Sequence, residues 1–88
     1  MNVEYRKQFL KELAKVPSYQ RTVIENFVFN ELPSSKLLSE SKKIERLTGY
    51  PGYFKIRFGD YRVGLHIEEN KLILERVLHR KEIYRYFP

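Results

Sequence analysis

The sequence predicts an α+β domain, in which an N-terminal antiparallel helix hairpin packs on one face of a small, mainly antiparallel, twisted β-sheet and a short C-terminal helix or turn docks on that sheet. Two observations support this prediction. Apolar residues recur with a helical period early in the chain and with a two-residue period in its second half. The chain has 88 residues, 42% of them hydrophobic, so we expect one domain over residues 1–88.

The first two helices are separated by a proline. In the first, predicted over residues 6–16, Phe9 and Leu13 share a face, and Pro17 ends it because proline disfavours helical geometry at the preceding residue. Ser18 can cap the second helix, which ends at residues 32–35. The short link makes the pair an antiparallel hairpin. Residues 2–5 alternate as a short strand does, and the polar residues from 33 to 43 are predicted to form a surface loop.

The second half of the chain predicts a meander of strands. Residues 43–47 form a short strand, and residues 53–58, 61–67 and 71–79 form three longer ones. Two-residue turns at Gly59-Asp60 and Glu69-Asn70 join the longer strands. The tail from residue 80 to residue 88 is too short for a stable helix of its own, so we expect it to dock on the sheet.

The turn at Gly59-Asp60 fixes the register of the hairpin. It sets Arg57 opposite Arg62 and Lys55 opposite Gly64, on the face that points away from the helices. We expect no carboxylate among these cations and an open floor at Gly64. Opposed like charges destabilise a sheet by up to about 1 kcal/mol. These cations therefore do not stabilise the fold, but they would stabilise a bound phosphate. The alternative is an ordinary solvated face, and His66 on the same face is interpreted as solvated.

The last strand does not alternate cleanly, since strict alternation would turn Arg76 into the core. A β-bulge near Glu75-Arg76 would instead turn Val77 inward and send Arg80 to the cationic face. The docked tail would then bring Tyr84 or Tyr86 to the rim of that face.

The overall charge favours a polyanionic partner. Seventeen Lys and Arg against eleven Asp and Glu give a net charge of +6, although such a charge also serves solubility. The chain has no cysteine, which excludes disulfides and thiolate metal sites, and its two histidines cannot by themselves form a zinc site. No stretch approaches the about 18 apolar residues that cross a membrane. The N-terminus lacks the apolar core of a signal peptide. We therefore expect a cytoplasmic domain without membrane contact or cofactor.

Several stretches resemble the RelE-type toxins of bacterial and archaeal toxin–antitoxin pairs. They are residues 53–64 (YFKIRFGDYRVG), residues 76–88 (RVLHRKEIYRYFP) and the N-terminal FLKEL with the following Val16-Pro17, so the resemblance covers nearly the whole chain. It implies a microbial RNase-like sheet and a ribosome-dependent endoribonuclease that cuts messenger RNA in the A site. It also implies a cognate antitoxin as partner. Cleavage through the RNA's own 2′-hydroxyl needs no metal.

The resemblance also assigns roles to residues. The family's catalytic lysine falls on Lys55, its phosphate-binding arginine on Arg62 and its C-terminal catalytic arginine on Arg80. A second family lysine is replaced by Arg57, which keeps the charge but cannot transfer a proton. The predicted catalytic residues are Lys55, Arg62, Arg80 and Tyr84, and the predicted RNA- or phosphate-binding residues are Arg57, Lys55, Arg62, His79 and Arg85.

Two assignments stay open. The family's functional tyrosine lies a little beyond that arginine, and the spacing is shorter here, so Tyr84 is chosen and Tyr86 is the alternative. Some relatives use a C-terminal histidine, so the general acid is Arg80 or His79. Three rival functions also remain: a ParE-like toxin that binds DNA gyrase without nuclease activity, a non-catalytic basic RNA-binding domain, and an inactive relative.

Overall fold

The order of helices and strands follows the prediction closely. The computed structural model describes residues 2–34 and 44–88, and all but the first two residues of the loop predicted at residues 33–43 lie outside them. The elements are β1 (Asn2–Tyr5), α1 (Lys7–Leu13), α2 (Ser18–Glu25), a π-helical turn (Asn26–Glu31), a 3₁₀ turn (Leu32–Ser34), β2 (Ile44–Arg46), β3 (Tyr53–Phe58), β4 (Tyr61–Glu68), β5 (Lys71–His79) and α3 (Ile83–Tyr86).

A single open sheet organises the domain. In the described residues it has five strands in the order β1-β5-β4-β3-β2, with β1 parallel to β5 and every other pair antiparallel. The prediction of an α+β fold with a mainly antiparallel sheet is therefore confirmed. No helix within residues 2–34 and 44–88 is long and apolar enough to cross a membrane.

The core lies between the helices and one face of the sheet. Its side chains come from α1, α2, the π-helical turn and alternate positions of β3, β4 and β5. Each fully buried aliphatic or aromatic side chain contributes about 1.5–3 kcal/mol. The side chains with no exposed surface include Phe9, Ile24, Val28, Ile56, Val63, Leu65 and Leu74. The helices thus cover one face, as predicted, and leave the other, which we call the outer face, to the C-terminal segment.

The second helix differs from the prediction in its last turns. It is α-helical to Glu25 and then widens into the π-helical turn, where the Leu32 N–H bonds to the Phe27 carbonyl. In that register the carbonyl of Val28 would need the N–H of residue 33, which is a proline and has none. The Tyr5 hydroxyl donates to the Val28 carbonyl instead, at 2.8 Å. This bond ties β1 to the widened turn.

The β-bulge in β5 is present where it was predicted. Arg76 pairs with Gly64 and Leu74 pairs with Leu65, so Glu75 is the extra residue of β5. Beyond the bulge Val77 points inward and is buried. Because of the bulge, apolar residues of β5 both before and after Glu75 face the core.

Candidate functional site

The outer face carries the predicted row of cations. Arg57 pairs with Arg62 and Lys55 pairs with Gly64 across β3 and β4, which confirms the predicted register. Lys55 and Arg62 are therefore diagonal neighbours, about 7–8 Å apart and within reach of a common ligand for long side chains.

The Lys55 side chain is largely enclosed. It is 15% exposed, and its Nζ atom lies 3.6 Å from Glu45 Oε2. The same Nζ donates a hydrogen bond to the Tyr84 hydroxyl and lies 4.1 Å from the centre of the Tyr84 ring. The expectation that this face lacks carboxylates is wrong, because β2 pairs with β3 and sets Glu45 directly opposite Lys55.

The predicted open floor at Gly64 is also wrong. The ring of Phe87 covers Gly64 so closely that a Cβ atom added there would lie 2.7 to 2.8 Å from three ring carbons. Phe87 is buried. The tail does dock on the sheet, as predicted, but it docks over the glycine rather than beside it.

Arg62 and Arg80 both approach the Gly59-Asp60 turn. Arg62 Nη1 donates to the carbonyls of Gly59 and Tyr61, at 2.7 and 2.9 Å. Arg80 follows β5, donates its backbone N–H to the Asp60 carbonyl at 2.7 Å, and sets its Nε 3.5 Å from Asp60 Oδ1. The predicted residues thus form two groups, Lys55 with Tyr84 and Arg62 with Arg80, and the exposed Arg57 lies on β3 directly opposite Arg62.

His79 lies apart from this site. It pairs with Tyr61, which packs against the helix side of the sheet, and the two rings meet edge-on with centres 5.6 Å apart. Its Nδ1 accepts the N–H of Lys81 at 3.1 Å. The structure therefore does not bring His79 to Lys55, and the RNA-binding role of His79 stays a prediction.

The tail separates the two candidate tyrosines. Tyr84 is 70% exposed and contacts Lys55, whereas the ring of Tyr86 lies over the Arg76 guanidinium, 5.3 Å from its centre. Arg85 is exposed. Tyr84 is thus the tyrosine that the fold brings to the catalytic candidate.

His66 is not the solvated residue expected from the sequence. Its ring stacks on Tyr53 with centres 4.1 Å apart and planes 5° from parallel, and its Nδ1 lies 4.0 Å from Glu75 Oε2. The Phe87 ring lies 5.8 Å from that of Tyr53. These aromatic side chains form a second, smaller packed cluster on the outer face, which gives the tail a surface to dock on.

Glu12 is a buried carboxylate that was not predicted from the sequence. Glu12 is 8% exposed and accepts hydrogen bonds from Arg76 Nε and Nη2 and from the Val77 N–H, the last at 3.1 Å. The hydrogen bond to Glu12 raises the pKa of Arg76, so the guanidinium stays charged. One signal was available, since Glu12 lies three residues after Phe9 on the buried stripe of α1. The network joins α1 to the bulge of β5.

Comparison with known proteins gives consistent matches. Residues 3–84 match the family model described as ParE toxin of type II toxin-antitoxin system, parDE. Over 89 aligned residues the chain is 40% identical to Toxin RelE3 of Methanocaldococcus jannaschii, with all of both chains covered.

Solved structures agree with this result. A chain of the RelB-RelE antitoxin-toxin complex from Methanococcus jannaschii superposes with a TM-score of 0.83 and 38% identity, over 97% of this chain and 99% of that one. A chain of the RelBE2 toxin-antitoxin complex from Mycobacterium tuberculosis gives 0.67 at 24% identity, over 90% and 96% of the two chains, which supports the fold alone.

Proposed function

Because the chain belongs to the RelE/ParE family of toxin–antitoxin toxins, we propose that it is an endoribonuclease that cleaves messenger RNA in the ribosomal A site. The observation that carries this proposal is the contact between Lys55 and Tyr84 on a face that also presents Arg57 and Arg62. A sheet gains no stability from opposed arginines, whereas an RNA backbone needs cations at that spacing.

The proposed reaction uses the RNA's own nucleophile. The 2′-oxygen attacks the adjacent phosphorus, the bond from phosphorus to the 5′-oxygen breaks, and the products carry a 2′,3′-cyclic phosphate and a 5′-hydroxyl. The protein must hold the attacking and leaving oxygens in line, stabilise the charge that develops on phosphate, and assist two proton transfers. All of these tasks suit cations and an aromatic side chain on a rigid sheet.

Each residue has a role in this scheme. Lys55 takes the proton of the 2′-hydroxyl when it reacts as the free amine. Arg57 and Arg62 bind the phosphate oxygens through their guanidinium forks. Arg80 stabilises the negative charge that develops on the leaving 5′-oxygen, which takes its proton from solvent, while His79, the other candidate for the general acid, lies on the helix side of the sheet. Tyr84 stacks on a base and aligns its sugar.

The proposed partners are the ribosome and a cognate antitoxin. A site built from a lysine and arginines is weak in acid–base chemistry, so it depends on a substrate held in a reactive pose, which a ribosome supplies. One similar solved structure is a complex of toxin and antitoxin, and a net charge of +6 suits an acidic partner. The antitoxin would act by covering the cationic face or by displacing the tail that carries Tyr84.

Cleavage mapping in a translating extract tests the proposal. Purified wild type should cut messenger RNA and leave 2′,3′-cyclic phosphate ends, and it should cut free RNA far more slowly. Arg80→Ala should bind RNA and fail to cut it, whereas Arg21→Ala, a matched change on α2, should cut like wild type. Binding and cleavage that fall together in Arg80→Ala would instead indicate a simple RNA-binding domain.

One observation favours a second candidate function. The matching family model carries the description ParE toxin. ParE toxins resemble RelE-type toxins in fold and poison DNA gyrase. A supercoiling assay run beside the cleavage assay separates the two functions. Inhibition of gyrase without cut messenger RNA would support the ParE-like alternative and overturn the nuclease.

A further inference from the structure

The last turn of the chain is anchored at both ends. Ile83, at the start of α3, is 1% exposed, and Phe87, just after it, is 6% exposed, while Tyr84 between them is 70% exposed. A helix of four residues is not stable by itself. The direction in which Tyr84 points is therefore set by the two anchors and not by the helix.

The Phe87 anchor depends on a glycine. A Cβ atom at Gly64 would lie 2.7 to 2.8 Å from three carbons of the Phe87 ring, whereas carbon atoms in contact are about 3.5–4.0 Å apart. Glycine weakens the interior of a strand, and it is retained where another group approaches the backbone closely. Here the approaching group is the Phe87 ring.

The glycine is also the cross-strand partner of the catalytic candidate. Gly64 pairs with Lys55, so the seat of the Phe87 ring lies beside the lysine side chain. One docked segment therefore makes two contacts. Its Tyr84 hydroxyl accepts the hydrogen bond from Lys55, and its Phe87 ring packs on Gly64. Arg76 adds a hydrogen bond to the Tyr86 carbonyl, at 3.4 Å.

We infer that Phe87, seated on Gly64, is a positioning residue that holds Tyr84 against Lys55. The inference rests on the proposed nuclease function for its kinetic consequence and on the structure alone for its geometric one. A methyl group at position 64 pushes the Phe87 ring off the sheet, and the segment then carries Tyr84 away from Lys55. The lysine and the arginines of the outer face stay where they are.

The test is Gly64→Ala, measured in two ways. In nuclear magnetic resonance spectra, wild type should show nuclear Overhauser effects between the Tyr84 ring and the Lys55 side chain, and Gly64→Ala should lose them. In the translating extract, kcat should fall on the order of 100-fold, as misplacement of a reacting group predicts, with KM for the programmed ribosome nearly unchanged. A loss of kcat with retained Tyr84 contacts, or no loss of either, would overturn the inference.

A double-mutant cycle separates positioning from simple damage. Once Phe87→Ala has removed the ring, the methyl group of Gly64→Ala meets no obstacle, so the double variant should be no worse than Phe87→Ala alone. Additive losses would contradict the inference. Phe87→Leu, which keeps an apolar side chain but not the flat cover, is a second variant with the same expected loss, and Phe29→Leu on the helix side is its matched control. If wild type itself does not cleave, the proposed function fails and the resonance contacts alone decide the inference.

Discussion

Lys55 and Glu45 face each other across the β2–β3 ladder, with Nζ 3.6 Å from Oε2. The lysine side chain is 15% exposed and that of the glutamate is 54% exposed. A pair with one such open partner contributes only about 0.2–1 kcal/mol. An RNA phosphate can therefore displace the carboxylate, and Glu45 competes with the substrate for Lys55.

Glu45→Gln should strengthen RNA binding. Removing the competing carboxylate should raise affinity by up to about fivefold and steepen the salt dependence. The measurement is the affinity for an RNA with a 2′-deoxy residue at the cut site, at low and high salt. Glu4→Gln is the matched control, because Glu4 pairs with Lys71 at 3.4 Å on the opposite edge of the sheet. Equal gains in both variants would show that only net charge matters.

Tyr84→Phe should distinguish the contribution of the Tyr84 hydroxyl to catalysis from that of the ring. The variant keeps the aromatic face for stacking but loses the oxygen that accepts the Lys55 hydrogen bond. Hydrogen bonds to charged groups contribute about 1.5–3 kcal/mol, so kcat should fall about tenfold or more while RNA affinity stays close to wild type. Tyr86→Phe should have no comparable effect. Equal activity of Tyr84→Phe and wild type would remove the hydroxyl from the mechanism.

Glu12→Gln should destabilise the fold. Arg76 and the Val77 N–H both depend on the buried carboxylate, and an amide there leaves the guanidinium without its counter-charge. Breaking a buried pair in this way should lower the free energy of unfolding by about 3 kcal/mol, as measured by chemical denaturation. Glu68→Gln, at an exposed position of β4, should change it by less than about 0.5 kcal/mol. A Glu12→Gln value within that range would contradict the structural role of the network.

The bond between Tyr5 and Val28 should make stability fall in alkali. Burial raises the pKa of Tyr5 above its usual value of 10.0, so the folded chain holds this proton more tightly than the unfolded chain does. The stabilisation is complete below about pH 10 and is lost as pH rises through the folded pKa. Tyr5→Phe should be less stable than wild type by about 1 kcal/mol at neutral pH, with a gap that narrows above about pH 10. A gap that stays constant would contradict the shift.

Local patterns predicted most of the sheet. The two-residue turn at Gly59-Asp60 determined which residues of β3 and β4 face each other, so the partners of Arg57 and Lys55 could be named in advance. The misplaced Arg76 revealed the bulge, because burying an unpaired guanidinium in the core costs too much. Short-range geometry and the cost of burying charge were sufficient for these elements.

Contacts between distant segments were not predictable in the same way. Glu45 reaches Lys55 because the three-residue strand β2 pairs with β3, and so short a strand has no turn or alternation long enough to specify its register. Phe87 covers Gly64 because the tail folds back on the sheet, and the sequence marked the glycine without showing what approaches it. The widening of the second helix depends on Pro33 and on a hydroxyl from β1.

The most direct test of the central claim is to map transcript ends in cells that express wild type, Lys55→Met or Lys71→Met at equal levels. Both variants lose one positive charge, but Lys71 lies at the far end of β5 in a surface pair with Glu4. Wild type and Lys71→Met should arrest growth and produce the same 2′,3′-cyclic phosphate ends, and Lys55→Met should produce about 100-fold fewer. Undiminished cleavage by Lys55→Met, or growth arrest by wild type without cut messenger RNA, would contradict the nuclease site proposed for the outer face.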